Sequence, residues 1–238
     1  MMKKIVAAAS ILLFMACQGE EQTQKNEGPK VWKTEQQADL LMEYQFDTIK
    51  QQKEGVYKEY SLQEGKKILL LERKMKAGLS VGEEKQYHPN GKLAARFQYN
   101  EKGQEDGPLS YYYPNGQLKQ AGYYKEGVLD DSLKTYYPNG QLKEWVIMRN
   151  NEANGPFAEF YQNGQPKAKG TYLGNYEHCE LWLYAQDSTG KLQSKMLCDS
   201  PLKTCATFWK AEEGQLEGVN DLAKSTIDKM RPQCEPLE

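Results

Sequence analysis

Most of this chain alternates apolar and polar residues in short runs that end at glycine-containing turns. The turn glycines are Gly65, Gly91, Gly116, Gly140, Gly164 and Gly190, with spacings of 26, 25, 24, 24 and 26 residues. The sharpest turns read Pro-Asn-Gly, in which Pro sets φ, Asn tolerates the second position and Gly supplies a positive φ. The pattern predicts a β-hairpin with a three-residue loop at each turn.

A second turn signal recurs nine residues before the turn glycine, as Gly82, Gly107, Asp131 and Gly155. It ends polar loops that we expect to lead from one hairpin to the next. Because one hairpin cannot bury its side chains alone, the hairpins should stack and bury one another. The predicted fold class is mainly β: an elongated single-layer antiparallel sheet of about six stacked β-hairpin repeats, with a short C-terminal helix.

Alternation along the strands assigns side chains to the two faces of this sheet. We predict a packing face from the residues four before, two after and eight after each turn glycine. They are Tyr87, Tyr112, Tyr136 and Phe160, then Leu93, Leu118 and Leu142, then Tyr99, Tyr124 and Tyr172. The opposite face takes the residues three before, seven before and three after. They are His88, Tyr113, Tyr137 and Tyr161, then Leu109, Leu133 and Phe157, then Lys119, Lys143 and Lys167.

The opposite face is aromatic and basic together, which makes it the candidate partner-binding surface. A row of partly exposed aromatic rings is typical of interaction sites. The candidate residues are Tyr113, Tyr137, Tyr161, Lys119, Lys143 and Lys167. Two alternatives remain: the rings could pack only on one another and on the C-terminal segment, and the lysines could form a solvated stripe in which Lys167 pairs with Glu159 across the strands.

The repeat array is expected to span residues 55–200, between two caps. In the N-terminal cap, residues 34–54, Thr34 suits a helix cap, but alternating Met42, Tyr44 and Phe46 favour a strand over residues 42–49. The C-terminal cap, residues 201–238, contains the predicted helix. Its apolar stripe is Val219, Leu222, Thr226 and Met230, with Asn220 as cap and Pro232 as stop.

The first 16 residues read as a secretion signal, with two lysines, an apolar run and a small residue before Cys17. The run from Ile5 to Met15 has 11 residues, against the roughly 20 that span a bilayer, and no other stretch comes closer. Its end resembles a bacterial lipobox, which implies that Cys17 is lipidated; the alternative is an ordinary cleaved signal. Residues 17–33 are polar and predict a flexible tether.

The acidic pair Glu20 and Glu21, close behind Cys17, resembles the surface-export signal of Bacteroidetes-type lipoproteins. That resemblance implies a lipid-anchored protein of the outer membrane or cell surface. Without Lys3 and Lys4 the chain has 29 basic and 33 acidic side chains, a formal net charge of −4. This balance argues against nucleic acid as a partner, because binding to nucleic acid requires a basic surface.

Four further cysteines, Cys179, Cys198, Cys205 and Cys234, suggest disulfides in an exported chain, with three possible pairings. A two-residue loop at Ser188 and Thr189 would place Cys179 opposite Cys198 and leave Cys205 with Cys234. A three-residue loop would instead place Cys179 opposite Asp199. No Cys-x-x-Cys pair occurs, so we expect no metal site.

Catalytic chemistry has little support in the sequence. Neither histidine, His88 or His178, lies near a serine or cysteine in a recognisable nucleophile motif. His88 occupies the position that is tyrosine in later repeats, so we interpret it as a substituted aromatic. There is no glycine-rich phosphate loop and no calcium loop. We therefore expect no catalytic residue, cofactor or small-molecule substrate.

Three stretches, 107–124, 131–147 and 155–172, resemble the bacterial variant of the MORN repeat. Its pattern is a glycine, polar residues, Tyr-Tyr-Pro-Asn-Gly, Leu-Lys and a Gly-aromatic return. Proteins of this kind are often labelled YwqK-type antitoxin components, and MORN arrays serve as interaction platforms. The resemblance implies a non-enzymatic, lipid-anchored protein-binding or scaffold protein. An antitoxin or immunity protein is the alternative, and an envelope glycan hydrolase is a third.

Overall fold

The computed structural model describes residues 28–187, 189–199, 201 and 203–215. Within these ranges every regular element is a β-strand. The described part contains no helix that is long and apolar enough to cross a membrane. The predicted signal, Cys17, the first part of the tether, the apolar stripe of the C-terminal helix and Cys234 lie outside the described residues.

The described strands follow one another closely along the chain. They are β1 (Lys30–Gln37), β2 (Leu40–Asp47), β3 (Gln52–Gln63), β4 (Lys66–Lys76), β5 (Leu79–Tyr87), β6 (Leu93–Tyr99), β7 (Gly107–Tyr112), β8 (Leu118–Lys125), β9 (Val128–Leu129), β10 (Asp131–Tyr136), β11 (Leu142–Arg149), β12 (Glu152–Phe160), β13 (Pro166–Leu173), β14 (Tyr176–Tyr184), β15 (Leu192–Asp199), β16 (Thr204–Lys210) and β17 (Gly214–Gln215).

Neighbours in sequence are neighbours in the sheet, and every pair is antiparallel. The one irregularity lies at β8, which pairs with both β9 and β10 because Asp130 interrupts what would be a single strand. The result is one open antiparallel sheet that runs from β1 to β17. This confirms the predicted fold class of stacked hairpins.

The Pro-Asn-Gly turns have the predicted three-residue loop. At Gly116, where φ is 93°, the glycine N–H donates to the Tyr113 carbonyl at 2.7 Å. The Tyr113 N–H donates to Gln117 O at 2.8 Å, which closes the loop. The same two bonds recur at the other turns of this length, Gly91, Gly140 and Gly164. The outer turns differ: residues 64–65 form a two-residue loop, and the Ala185 N–H donates to the Lys191 carbonyl at 2.9 Å across a longer connection.

Two of the loops that lead from hairpin to hairpin are tight two-residue turns. Glu126 and Gly127, with φ of 50° and 86°, link β8 to β9, and Asn150 and Asn151, at 51° and 67°, link β11 to β12. Two successive residues with positive φ are typical of type I′ hairpin turns, whose twist matches that of the strands. These two connections therefore continue the sheet.

Each Pro-Asn-Gly hairpin contains a β-bulge just after the loop. Tyr112 pairs with Leu118, but Tyr111 pairs with Gln120, so Lys119 is the extra residue. The shift recurs in the hairpins of Gly91, Gly140 and Gly164. An extra residue reverses the alternation of side chains. Residues two after and eight after a turn glycine therefore lie on opposite faces.

The predicted packing face is wrong for this reason. Leu109 and Phe157, placed by prediction on the partner-binding face, are each only 3% exposed and belong to the core. Leu109 packs with Tyr124, and the Phe157 ring stacks on Tyr172 with centroids 4.1 Å apart. We call the face that holds these four residues the core face. The other is the outer face, and it holds pairs such as Tyr112 and Leu118.

Glycines make room for the large residues of the core face. A Cβ on Gly170 would lie 2.9 Å from Cε1 of Phe157, and one on Gly122 would lie 2.8 Å from Cδ1 of Leu133. The glycine that precedes the aromatic residue in the second strand of these two hairpins therefore leaves space for a large side chain. That side chain lies seven residues before a turn glycine. Packing at this density leaves no space for one more methyl group.

The sheet extends beyond the predicted array at both ends. The strand predicted over 42–49 is present as β2, whereas Thr34 lies within β1 and caps no helix. Residues 30–33, predicted as the end of the tether, also belong to β1. β16 and β17 lie within the predicted C-terminal cap.

A disulfide joins Cys198 of β15 to Cys205 of β16. Cys179 does lie directly opposite Cys198 in the β14–β15 register. The pairing of Cys179 with Cys198, and of Cys205 with Cys234, is nevertheless wrong. Cys198 also lies opposite Cys205 on its other neighbour, and its sulfur bonds on that side.

Candidate partner-binding surface

Three predicted site residues form what we call the tyrosine column: Tyr113, Tyr137 and Tyr161. Each hydroxyl donates to a backbone carbonyl of the next repeat. The acceptors are Tyr136 O at 2.8 Å, Phe160 O at 2.9 Å and Tyr184 O at 3.1 Å. All three rings are half-buried. The tyrosine column therefore links successive repeats.

His88 makes the same link one repeat earlier, as its Nε2 lies 2.9 Å from the Tyr112 carbonyl. This geometry fits the interpretation of His88 as a substituted aromatic. The turn asparagines add a parallel set of bonds. Asn90 donates to Pro114 O at 2.9 Å and Asn115 to Pro138 O at 3.0 Å. Side chains therefore link successive repeats along the edge of the sheet that carries the Pro-Asn-Gly turns, which we call the turn edge.

The three lysines predicted with these tyrosines, Lys119, Lys143 and Lys167, form the lysine column and are all exposed. Lys119 Nζ lies 5.9 Å from the centre of the Tyr113 ring, a cation–π distance. Lys167 forms an ion pair with Glu159, as its alternative role predicted. The lysine column therefore partners residues of its own sheet in at least two of three repeats.

Carboxylates from adjacent strands meet on the core face beside Lys167. Glu144 of β11 lies directly opposite Glu159 of β12. Burial and then the Glu159 carboxylate raise the pKa of Glu144, against a smaller opposing effect of Lys143 and Lys167. Of these two carboxylates, only Glu159 forms an ion pair with a lysine. The repulsion between the two like charges therefore raises the pKa of Glu144.

The outer face has a feature that the sequence analysis missed. Directly opposed residues of successive strands form one row across β10 to β16, which we call the lysine–tryptophan row. It consists of Lys134, Trp145, Ala158, Lys169, Trp182, Lys195 and Trp209. Three of the four tryptophans of the chain lie in it.

Lysines and indole rings interact along this row. The Nζ atoms of Lys169 and Lys195, from the two strands that flank β14, each lie 4.2 Å from the centre of the Trp182 ring. Trp145, Trp182 and Trp209 are all half-buried. Trp145 and Trp182 stand three strands apart, about 14 Å at the usual strand spacing. The row thus offers large, partly wet aromatic surface with positive charge beside it.

The same row has a different character in the first half of the sheet, where charges neutralise one another. Lys58 pairs with Glu72 at 3.1 Å, and Lys85 and Arg96 both pair with Glu83, at 2.8 and 3.0 Å. Exposed pairs of this kind contribute little stability but leave little net charge. Within this row, aromatic rings and lysines therefore occur together in the second half.

Aromatic–aliphatic pairs lie beside the row on the outer face, next to the turns. Tyr112 faces Leu118, Tyr136 faces Leu142 and Tyr184 faces Leu192, all half-buried. Together with the lysine–tryptophan row they make the outer face amphipathic. Alternating aromatic and aliphatic pairs of this kind also stabilise the hairpins themselves.

The described residues offer little for catalysis or metal binding. They contain no group of three His, Cys, Asp or Glu side chains that could hold a metal ion. His88 contacts a backbone carbonyl, and Nδ1 of His178 is buried without a hydrogen-bond partner.

Four segments of the sheet match a known family model, the MORN repeat variant. They are residues 80–101, 105–126, 132–144 and 153–173. These four segments are similar to MORN repeats. The match confirms the resemblance that the Tyr-Tyr-Pro-Asn-Gly pattern predicted. No curated protein matches the chain.

The MORN repeats contain the tyrosine column, and each of their hairpins carries one bulge. The lysine–tryptophan row begins in the third repeat and continues past residue 173 into strands that the family model does not match. MORN repeats are typical of non-catalytic scaffolds that mediate protein or membrane binding. The amphipathic outer face agrees with that general role.

Proposed function

We propose that this protein is a non-enzymatic binding platform that docks a protein partner on its outer face. The observation that carries the proposal is the lysine–tryptophan row. Tryptophan and tyrosine are the residues that most often anchor protein interfaces, because each buries a large area at low entropic cost. Three indole rings in a row, each still partly exposed, supply such anchors.

The charge of the row indicates the kind of partner. Lys134, Lys169 and Lys195 alternate with the aromatic rings, and the row contains no carboxylate. A partner that combines apolar side chains with acidic ones matches this surface. The flat, open shape of a sheet face suits a folded protein or an extended segment better than a small molecule, which needs a concave site.

The candidates on the core face take a secondary place in the proposal. The tyrosine column lies at the turn edge with its hydroxyls bonded, and the lysine column borders it. Both stay candidate contacts, because the rings are half-buried and the lysines exposed. A partner that wraps around the turn edge would reach both columns from the outer face.

The test compares two variants in pull-down from the native envelope. Trp145→Ala with Trp182→Ala should abolish capture of the partner, since truncating one anchor typically costs about 2 kcal/mol or more. The matched control is Tyr113→Phe with Tyr137→Phe and Tyr161→Phe, which keeps every ring. Circular dichroism establishes that both proteins are folded.

Retained capture by the folded tryptophan variant contradicts the proposal. Loss of capture in the folded tyrosine variant, which leaves the lysine–tryptophan row unchanged, also contradicts it. The antitoxin alternative is tested by expressing the captured partner without this protein. It requires that partner to be toxic under those conditions.

The proposal includes a membrane anchor at Cys17. Its support is the lipobox-like sequence and the polar stretch that follows it. We expect a Cys17→Ser variant to move from the membrane fraction to the soluble fraction, and wild-type protein to incorporate labelled fatty acid. Membrane association that persists in the variant contradicts the anchor while leaving the binding platform untouched.

A further inference from the structure

Strand β1 forms one end of the sheet and has an exposed outer edge. Among the described residues it pairs only with β2. All eight of its side chains are exposed, and Trp32 is 58% exposed. An uncovered strand edge of this length offers backbone N–H and C=O groups to another strand.

The direction of these groups follows from the pairing with β2. The Thr48 N–H donates to the Pro29 carbonyl at 3.3 Å, so Pro29 and Thr48 form a hydrogen-bonded pair. Such pairs alternate along an antiparallel ladder. Odd-numbered residues of β1 therefore face β2, and the N–H and C=O groups of Trp32, Thr34 and Gln36 point outward.

The side chains of β1 are complementary to themselves in one antiparallel register. If Thr34 lies opposite Thr34 of a second copy, Lys33 lies opposite Glu35 of that copy, and Glu35 opposite its Lys33. The same register places Trp32 opposite Gln36. Each of these outward-facing residues then meets an outward-facing residue, as a ladder requires. Centring on Lys33 would place two lysines together.

Lys33 and Glu35 are held in position for this contact. The Nζ atom of Lys33 lies 3.3 Å from the centre of the Phe46 ring, and Glu35 accepts a hydrogen bond from the Tyr44 hydroxyl. Both contacts are on the core face, next to the cluster around Tyr44 and Tyr57. Pre-positioned charges lose less entropy on pairing.

We propose that two copies of the chain associate through β1, with Thr34 on the two-fold axis, to give one continuous antiparallel sheet. The interface is isologous: the same residues contribute from both copies. It covers the exposed indole of Trp32 and satisfies the outward-facing backbone groups. The proposal does not depend on the binding function of the outer face.

Cysteine cross-linking tests the register. Opposed residues of a hydrogen-bonded pair have Cα atoms about 5.5 Å apart, within the range of a disulfide. Thr34→Cys should therefore give a covalent dimer of the full chain on mild oxidation. In the matched Gln36→Cys variant the two new cysteines stand four residues apart, about 13 Å, and should give no dimer above the wild-type level. Equal cross-linking of both variants overturns the proposal.

Charge reversal tests the contact without new cysteines. Lys33→Glu alone places like charges opposite each other at two symmetric positions, and so does Glu35→Lys alone. Each should weaken dimerisation about tenfold or more in analytical ultracentrifugation. Mixing the two variants restores both attractive pairs, so a heterodimer should form. Two variants that remain monomeric when mixed, or that dimerise as well as wild type when separate, overturn the proposal.

Discussion

In three successive repeats, a single tyrosine hydroxyl links the repeat to the next one along the sheet. Tyr137 is the middle member of the tyrosine column, and its hydroxyl donates to Phe160 O at 2.9 Å. Tyr137→Phe keeps the ring and leaves this carbonyl without that donor. We expect the free energy of unfolding to fall by about 1 kcal/mol in denaturant titration. Tyr123→Phe is the control, since Tyr123 is 45% exposed and should lose much less.

A second prediction concerns Glu144, whose pKa is raised by burial and by Glu159. When the pKa of a carboxylic acid is raised in the folded state, the folded state binds the proton more tightly than the unfolded state does. Ionising Glu144 therefore costs stability above its folded pKa, and the cost vanishes as the pH falls below the ordinary value of about 4.3. Glu144→Gln should raise the melting temperature near pH 7 and change it little near pH 3.

The exposed Glu152 of β12 provides the comparison for this effect. Glu152→Gln removes the same charge from the same sheet without removing a buried carboxylate. A stabilisation of equal size in both variants would assign the effect to net charge and contradict the local cause.

At the scale of the element, the turns decide whether a hairpin forms. Gly140 has φ of 87°, a conformation that strains a β-branched side chain. Gly140→Val should destabilise the protein by roughly 1–3 kcal/mol in thermal or chemical unfolding. Gln141→Val, at the next and exposed position, should change stability by less than about 0.5 kcal/mol. Gly127 would be a poor control, because its φ is also positive, at 86°.

The hairpins could be predicted from the sequence because their turns are encoded locally. Pro, Asn and Gly at Pro114 to Gly116 restrict φ and ψ whatever surrounds them. The bulge at Lys119 has no such signature, since any residue can be the extra one. Missing it reversed the predicted face of every residue beyond it, including Tyr124. Leu109 was assigned to the partner-binding face instead of the core for the same reason.

The lysine–tryptophan row could not be predicted from the sequence, for a related reason. Trp145 lies five residues after a turn glycine, whereas Trp182 lies eight residues before one. They share no position within the repeat, so only the register of the assembled sheet aligns them. The longer connection between Ala185 and Lys191 contributes to that alignment, because it increases the number of residues between β14 and Gly190.

At the scale of the whole molecule, the sheet is a linear array in which each repeat contacts its neighbours. Gly116 and Gly140 are both followed by Gln-Leu-Lys. Deleting residues 117–140 therefore removes one complete repeat and leaves the junction sequence intact. We expect the shortened chain to fold with an unchanged β-type circular dichroism spectrum and a lower melting temperature.

The contrasting deletion removes residues 117–128, half of a repeat. It takes out β8, the turn that follows it and Val128 of β9, so every later strand would have to run in the reverse direction relative to the first half of the sheet. We expect this chain to lose cooperative unfolding. If both deletions fold equally well, the repeat is not the structural unit.

The bonds along the turn edge run in one direction only. Tyr113 and Asn115 donate to carbonyls of the following repeat, at Tyr136 and Pro138. During synthesis the ribosome releases the earlier repeat first. Its donor side chains therefore emerge before the acceptor carbonyls of the next repeat have been made. Each finished hairpin is thus a template that registers the next as it emerges. We therefore expect assembly to proceed from the N-terminal end, and a chain that is halted between repeats to expose a hairpin whose donors have no acceptors.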